Sequence, residues 1–144
     1  MANYIDPNGV ISRLTLTRVQ QFCYPRTGSD IYSYLDEVIT RAEATIDGFA
    51  RIRWQTPLPR SAMTDEWAYS LVEYELFKIN SPGSQVPAKI KESWEMMMKQ
   101  MMMMGEGKFE PAGATKLNSS TQVGHSVDVY SDPPSFTYCQ TSLW

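Results

Sequence analysis

Apolar residues recur at steps of three and four through Ile31, Tyr34, Leu35, Val38, Ile39, Ala42, Ile46, Phe49 and Ala50. That spacing lays a single stripe along a helix. A long helix is therefore predicted, starting after Ser29 or Asp30, both good N-caps. It ends before Thr56-Pro57-Leu58-Pro59, because proline cannot continue the hydrogen-bond ladder. Glu37 and Arg41 are spaced for a favourable exposed pair. Ahead of this helix, Asp6-Pro7-Asn8-Gly9 reads as a turn, followed by a short helix from Val10 to Leu14. Thr15 is placed to cap a second helix, from Leu16 to about Phe22, with Leu16, Val19 and Cys23 inward. Tyr24-Pro25-Arg26-Thr27-Gly28 breaks the chain. Thr64 is predicted to cap a further helix with Asp65 and Glu66 in its first turn, and with Trp67, Ala68, Leu71, Val72, Tyr74 and Phe77 inward. After the loop Asn80–Ser84, a last helix starts near Pro87, runs to Met104 and stops at Gly105. Its stripe is Ile90, Trp94, Met97, Met101 and Met104.

Beyond residue 105 the helical period disappears. Sixteen of the 39 residues from Glu106 to Trp144 are Gly, Pro, Ser or Thr. Yet the segment carries Val123, Val127, Val129, Tyr130, Phe136, Tyr138, Leu143 and Trp144, residue types that free linkers lack. Val123, His125, Val127 and Val129 alternate as in a half-buried strand. The expected fold is mainly α: a small helical bundle over residues 1–105 and an extended C-terminal arm over 106–144, which forms a β-strand or hairpin within an assembly.

Composition narrows the chemistry. Lys and Arg number 13 against 16 Asp and Glu, a formal net charge of -3, which argues against a general phosphate-binding surface. It leaves room for a lumen past which nucleic acid slides. Cys23 and Cys139 lie far apart with no ligand-spaced partner, so neither a zinc site nor a disulfide framework is expected. No signal peptide and no membrane-spanning run are visible. His125 is the lone histidine and has no nucleophile or carboxylate on its side of the alternation. Phosphate loops, dinucleotide fingerprints and hydrolase elbows are missing. No cofactor is expected.

Seven of the nine methionines fall between Met96 and Met104. A copper(I) site is the less favoured reading, since no His or Cys stands nearby. So wide a methionine ring exceeds one core-facing stripe, and Met98, Met102 and Met103 are expected to pack against another subunit. Arg51, Arg53 and Arg60 bracket the turn after the long helix. They either contact phosphate or a partner's carboxylates, or compensate the helix dipole. Trp144, a terminal indole without a helix to hold it, is expected in a partner's pocket.

The opening Met-Ala-Asn-Tyr-Ile, the segment Ala42-Glu43-Ala44-Thr45-Ile46-Asp47-Gly48-Phe49, the Pro57-Leu58-Pro59 that follows it, and Trp67 to Phe77 come in an order that resembles Mu-type phage head–tail adaptor proteins. Trp94 to Gly107 resembles that family's closing helix and exit, and Asp132-Pro133-Pro134-Ser135-Phe136-Thr137 its Pro-x-x-Phe ending. The likeness covers most of residues 1–107 and, more loosely, 123–144. It implies a non-enzymatic virion protein at the head–tail junction, assembled in the host cytoplasm. It further implies a dodecameric homo-oligomeric ring that binds the portal and tail or neck-completion proteins and lets DNA pass without sequence preference. The arm residues named above are then the partner-binding set. The alternative is a helical homodimer that uses the methionine helix as a groove for a partner helix.

Overall fold

The computed structural model describes residues 3–80 and 86–117, and five helices lie among them. They are α1 (Pro7–Leu14), α2 (Leu16–Cys23), α3 (Ser29–Ala50), α4 (Ala62–Asn80) and α5 (Ala88–Gly105). Together they make the mainly α fold that the apolar stripes predict. Helices α3, α4 and α5 pack on one another, while α1 and α2 lie across α3, with α2 also touching α4. Trp67 of α4 meets Gln100 of α5, and Tyr74 meets Trp94, so these two helices run antiparallel. The α3 stripe is buried as expected, apart from a half-buried Phe49.

Asp6-Pro7-Asn8-Gly9 is not a free turn. It is the capped start of α1, which therefore begins three residues earlier than the periodicity suggests. The Asp6 carboxylate accepts the Gly9 N–H at 3.1 Å, and Pro7 occupies the first turn, where its missing N–H costs nothing. Helix α4 likewise begins before Thr64. Ser61 Oγ accepts the Thr64 N–H at 3.3 Å, and Thr64 Oγ1 accepts the Ser61 N–H at 2.9 Å. This reciprocal pair is a capping box with threonine in place of the usual acid. Leu76, not singled out by its spacing, is fully buried, while Tyr74 and Phe77 are half-buried. Phe77 makes an edge contact with Phe22.

Thr15 joins α1 to α2 with φ 70° and ψ 145°. Its side chain makes no cap bond to α2, and the corner leaves Leu16 at the rim, 49% exposed rather than inward. Such a backbone is close to glycine-only territory and stores about 1–3 kcal/mol. Thr15→Gly is expected to raise stability by about 1 kcal/mol once glycine's extra chain entropy is subtracted. Urea unfolding checks this, and a loss of stability contradicts it.

Helix α5 runs through Gly105 and is closed by Gly107. The Gly107 N–H donates to Met104 O at 3.1 Å and the Lys108 N–H to Met103 O at 2.9 Å, the paired bonds of a Schellman stop. Gly107 has φ +80°, and a Cβ there would lie 3.0 Å from the Arg53 guanidinium. Both facts require glycine. From this stop the chain turns back over the body. Phe109 packs at an angle on Trp67, and Pro111 is buried. Gln55 N–H donates to Thr115 O and Leu117 N–H to Arg53 O, each at 2.9 Å. The result is an antiparallel bridge between Trp54 and Lys116, the β pairing found among the described residues. Residues 106–117, expected as the start of the extended arm, thus lie on the body.

Candidate interaction surfaces

The segments that carry the sequence resemblance converge in space. The backbone N–H groups of Asn3 and Tyr4 donate to Glu43 Oε1 at 2.7 and 2.8 Å. The Tyr4 hydroxyl donates to Asp47 and accepts the buried Leu58 N–H at 2.8 Å. The N-terminal segment, the middle of α3 and the Pro57-Leu58-Pro59 turn are thereby tied at one point. Glu43 is only 5% exposed. A carboxylate survives at that depth because the two donors replace its water. Burial, reinforced by donation to Asp47, pushes the Tyr4 hydroxyl far above its ordinary range. Spacing alone could not single out Glu43, because it sits beside the apolar stripe as any solvated acid would. This cluster holds the fold and offers no open site.

The methionine helix divides three ways. Met97, Met101 and Met104 are buried in the core. Met98 and Met102, one turn apart, flank that stripe on one side, and Met96 and Met103 flank it on the other. Met98 and Met103 are half-buried, whereas Met96 and Met102 are 65% and 54% exposed. The predicted trio Met98, Met102 and Met103 therefore does not share one face.

Met102 stands on the same flank as Gly105, against which Ile52 packs its Cδ1. Ile52 is 57% exposed and Leu117 38%. Leu117 also lines a cleft of about 170 Å³ together with Arg53, Trp54, Gly107, Glu110 and Lys116. Arg53 does not serve the end of α3 as its position in the chain suggests. Its Nε donates to Gly105 O at 3.1 Å, so it compensates the C-terminus of α5. Arg51 is the C-cap residue of α3, and both Arg51 and Arg60 are exposed. Arg53 thus stands at the C-terminal end of α5.

Arg13 was not anticipated from the sequence. It reaches Asp65 at 3.1 Å and Glu66 at 2.7 Å, and lies 4.8 Å over the Tyr69 ring. The acidic start of α4 is thus neutralised by α1, at a modest gain of under about 1 kcal/mol per exposed pair. Behind it, Glu73 borders a cleft with Arg18, Lys89, Ile90 and Ser93. Burial pushes the Glu73 carboxyl above the ordinary carboxylate range, against the pull of Arg18, a hydrogen bond from Tyr69 and the pull of Lys89. Burial and then the Glu73 charge push Tyr69 up to about 12. A carboxyl raised by folding favours its protonated form in the native state. Its contribution is full below the unfolded value of roughly 4.3 and is lost as pH climbs through the folded value. Glu73→Gln is therefore expected to raise Tm at neutral pH and to change it little near pH ~4. Thermal melts at the two pH values decide; an equal gain at both contradicts the assignment.

Among the described residues, no three His, Cys, Asp or Glu side chains gather in a metal-binding group, and no helix is long and apolar enough to cross a membrane. Cys23 is a buried free thiol. Val123, Val127, Val129, Tyr130, Phe136, Tyr138, Leu143 and Trp144, as well as His125 and Cys139, lie outside the described residues.

Residues 4–129 match the model of a protein family described as Bacteriophage Mu, Gp36. The match opens at Tyr4, takes in the rest of the described fold and reaches into the C-terminal segment. The chain is also similar to Gene product J of Escherichia phage Mu, 24% identical over 137 residues, which cover 94% of this chain and 94% of that protein. No solved structure matches the chain.

Proposed function

This chain belongs to the Bacteriophage Mu Gp36 family, and on that premise we propose that it is a structural virion protein acting as a head–tail adaptor. In this reading the helical body assembles as a homo-oligomeric ring between the portal and the tail or neck-completion proteins. The ring continues the DNA channel, and the C-terminal arm supplies Val123, Val127, Val129, Tyr130, Phe136, Tyr138, Leu143 and Trp144 as anchors for the portal or a neighbouring copy. The protein is not an enzyme, carries no cofactor and acts at the head–tail junction after assembly in the host cytoplasm.

One structural observation carries the reading beyond family membership. The described chain ends at the exposed Leu117, which pairs with Arg53 next to the exposed Ile52, so the apolar C-terminal segment departs from a partly apolar surface. A homo-oligomeric ring needs such complementary patches on each subunit, because a head-to-tail interface closes only when one patch fits another. The rival homodimer built on the methionine helix is disfavoured by the burial of Met97, Met101 and Met104. Those three are spent on the protomer's own core, and no continuous methionine groove is left for a partner helix.

Imaging purified particles with this chain labelled tests the proposal directly. Density at the neck, and loss of portal attachment on deleting residues 123–144 while the far-UV signal of the body persists, are the expected results. A label elsewhere in the particle, or normal attachment by the truncated chain, overturns it.

A further inference from the structure

Packing requires the glycine at position 9. A Cβ there would stand 2.9 Å from the Asp6 carboxylate and 3.2 Å from Ile5 Cγ1, and Ile5 is itself buried. The residue before it is Asn8, which is exposed. The fold thus obliges the chain to carry an asparagine–glycine link. In an unfolded peptide that is the most reactive link asparagine makes, because no side chain on glycine hinders its nitrogen from reaching the neighbouring carboxamide.

We propose that Asn8 is a latent deamidation site, held unreactive by the seated start of α1 and released when that start opens. The chemistry needs only water. Gly9 N attacks Asn8 Cγ and closes a cyclic imide, and Nδ2 leaves as ammonia with the proton that Gly9 N gives up. Water then opens the imide. Cleavage at Cγ yields aspartate. Cleavage at the Asn8 backbone carbonyl yields isoaspartate, whose main chain runs through the former side chain and is longer by a methylene.

The structure blocks the first step in two ways. Asn8 lies inside α1, and a helical backbone, with ψ of about −42°, turns the next nitrogen away from the side-chain carbon it must attack. That nitrogen is also engaged, since the Gly9 N–H donates to Asp6 Oδ1 at 3.1 Å. The Val10 N–H donates to Asp6 O at 3.2 Å and Ser12 Oγ to Gly9 O at 2.9 Å, so the residues around the link are held as well. On either side, Tyr4 is bound to Glu43 and Val10 sits in the core. The two products have opposite effects. Aspartate suits the dipole of α1, which has no acid in its first turn. Isoaspartate lengthens the backbone out of helical register. Helix α1 then cannot reclose over it, and the change permanently marks a chain whose start has opened.

The test incubates the full-length chain, Asp6→Ala and Asp6→Asn in mildly alkaline buffer, with and without guanidinium chloride. Peptide mass mapping follows the exchange of ammonia for water at residue 8. Asp6→Asn keeps a capping oxygen without the charge, and its own link precedes proline, whose nitrogen has no proton to lose. Far-UV spectra confirm that both variants keep their helices. Expected in the wild type is a native rate more than about tenfold below the rate in guanidinium, since reaction waits on local opening. Loss of the cap in Asp6→Ala should speed the native reaction about fivefold, while Asp6→Asn should stay close to the wild type. In guanidinium all three should react alike. Equal rates in the native and denatured wild type, no reaction in either, or no acceleration by Asp6→Ala overturns the inference, as does an Asp6→Asn chain that reacts as fast as Asp6→Ala.

Discussion

Replacing Glu43 with alanine is expected to lower stability by about 3 kcal/mol. The substitution leaves the Asn3 and Tyr4 N–H groups without the oxygen they share, and the Tyr4 amide is buried. A buried donor stripped of its acceptor costs about 1–3 kcal/mol, and the bonds lost here are made to a charged group, which are stronger than average. The damage should spread. Tyr4 positions its hydroxyl between Asp47 and Leu58, so releasing the N-terminal segment also loosens the turn between α3 and α4. Glu43→Gln keeps one carbonyl acceptor at the same place and should lose less than half as much. Urea unfolding gives the energies, and hydrogen exchange at Tyr4 and Leu58 reports the spread. A loss under about 1 kcal/mol for Glu43→Ala would show that water replaces the carboxylate at little cost.

The second large effect separates two adjacent residues. Met101→Ala should cost about 2–5 kcal/mol, because the side chain is fully buried and its removal leaves a cavity as well as forfeiting transfer energy. Met102→Ala should change stability by less than about 0.5 kcal/mol, since more than half of that side chain is in solvent. Its effect should appear instead in the self-association that the ring reading requires. Denaturation midpoints and sedimentation on the same pair of variants provide the comparison. Similar stability losses at both positions would contradict the division of the methionine helix into core and surface flanks.

Much of this fold was legible because helical periodicity is a strong signal wherever one face is buried. The α3 stripe is the clearest case, with its apolar positions almost all inside. The starts of α1 and α4 were harder. Asp6 with Pro7, and Ser61 with Thr64, are caps whose function depends on backbone angles, and the same residue types also make turns. Long-range polar contacts were not legible at all. Glu43 reaches the N-terminal segment and Arg13 reaches α4 across dozens of residues, and single-sequence spacing carries no record of such pairs. The resemblance marked the right segments for a reason that spacing did not supply: Tyr4, Asp47 and Leu58 meet. Arg53 was singled out from the sequence, but its bond to Gly105 arises from the packing of α3 on α5, and its pairing with Leu117 from the turn at Gly107, which folds the chain back over the body.

The anchoring of the first few residues has a practical corollary for anyone tagging this protein. Asn3 is exposed, yet it already donates its amide to the buried Glu43 carboxylate, so a fluorophore or affinity handle fused directly ahead of it would pull on that bond. A handle on that end needs a flexible polar spacer to avoid prying the first residues from their seat. A reporter placed in the exposed corner around Tyr24, which is 82% accessible, would spare both that seat and the pole from which the arm departs.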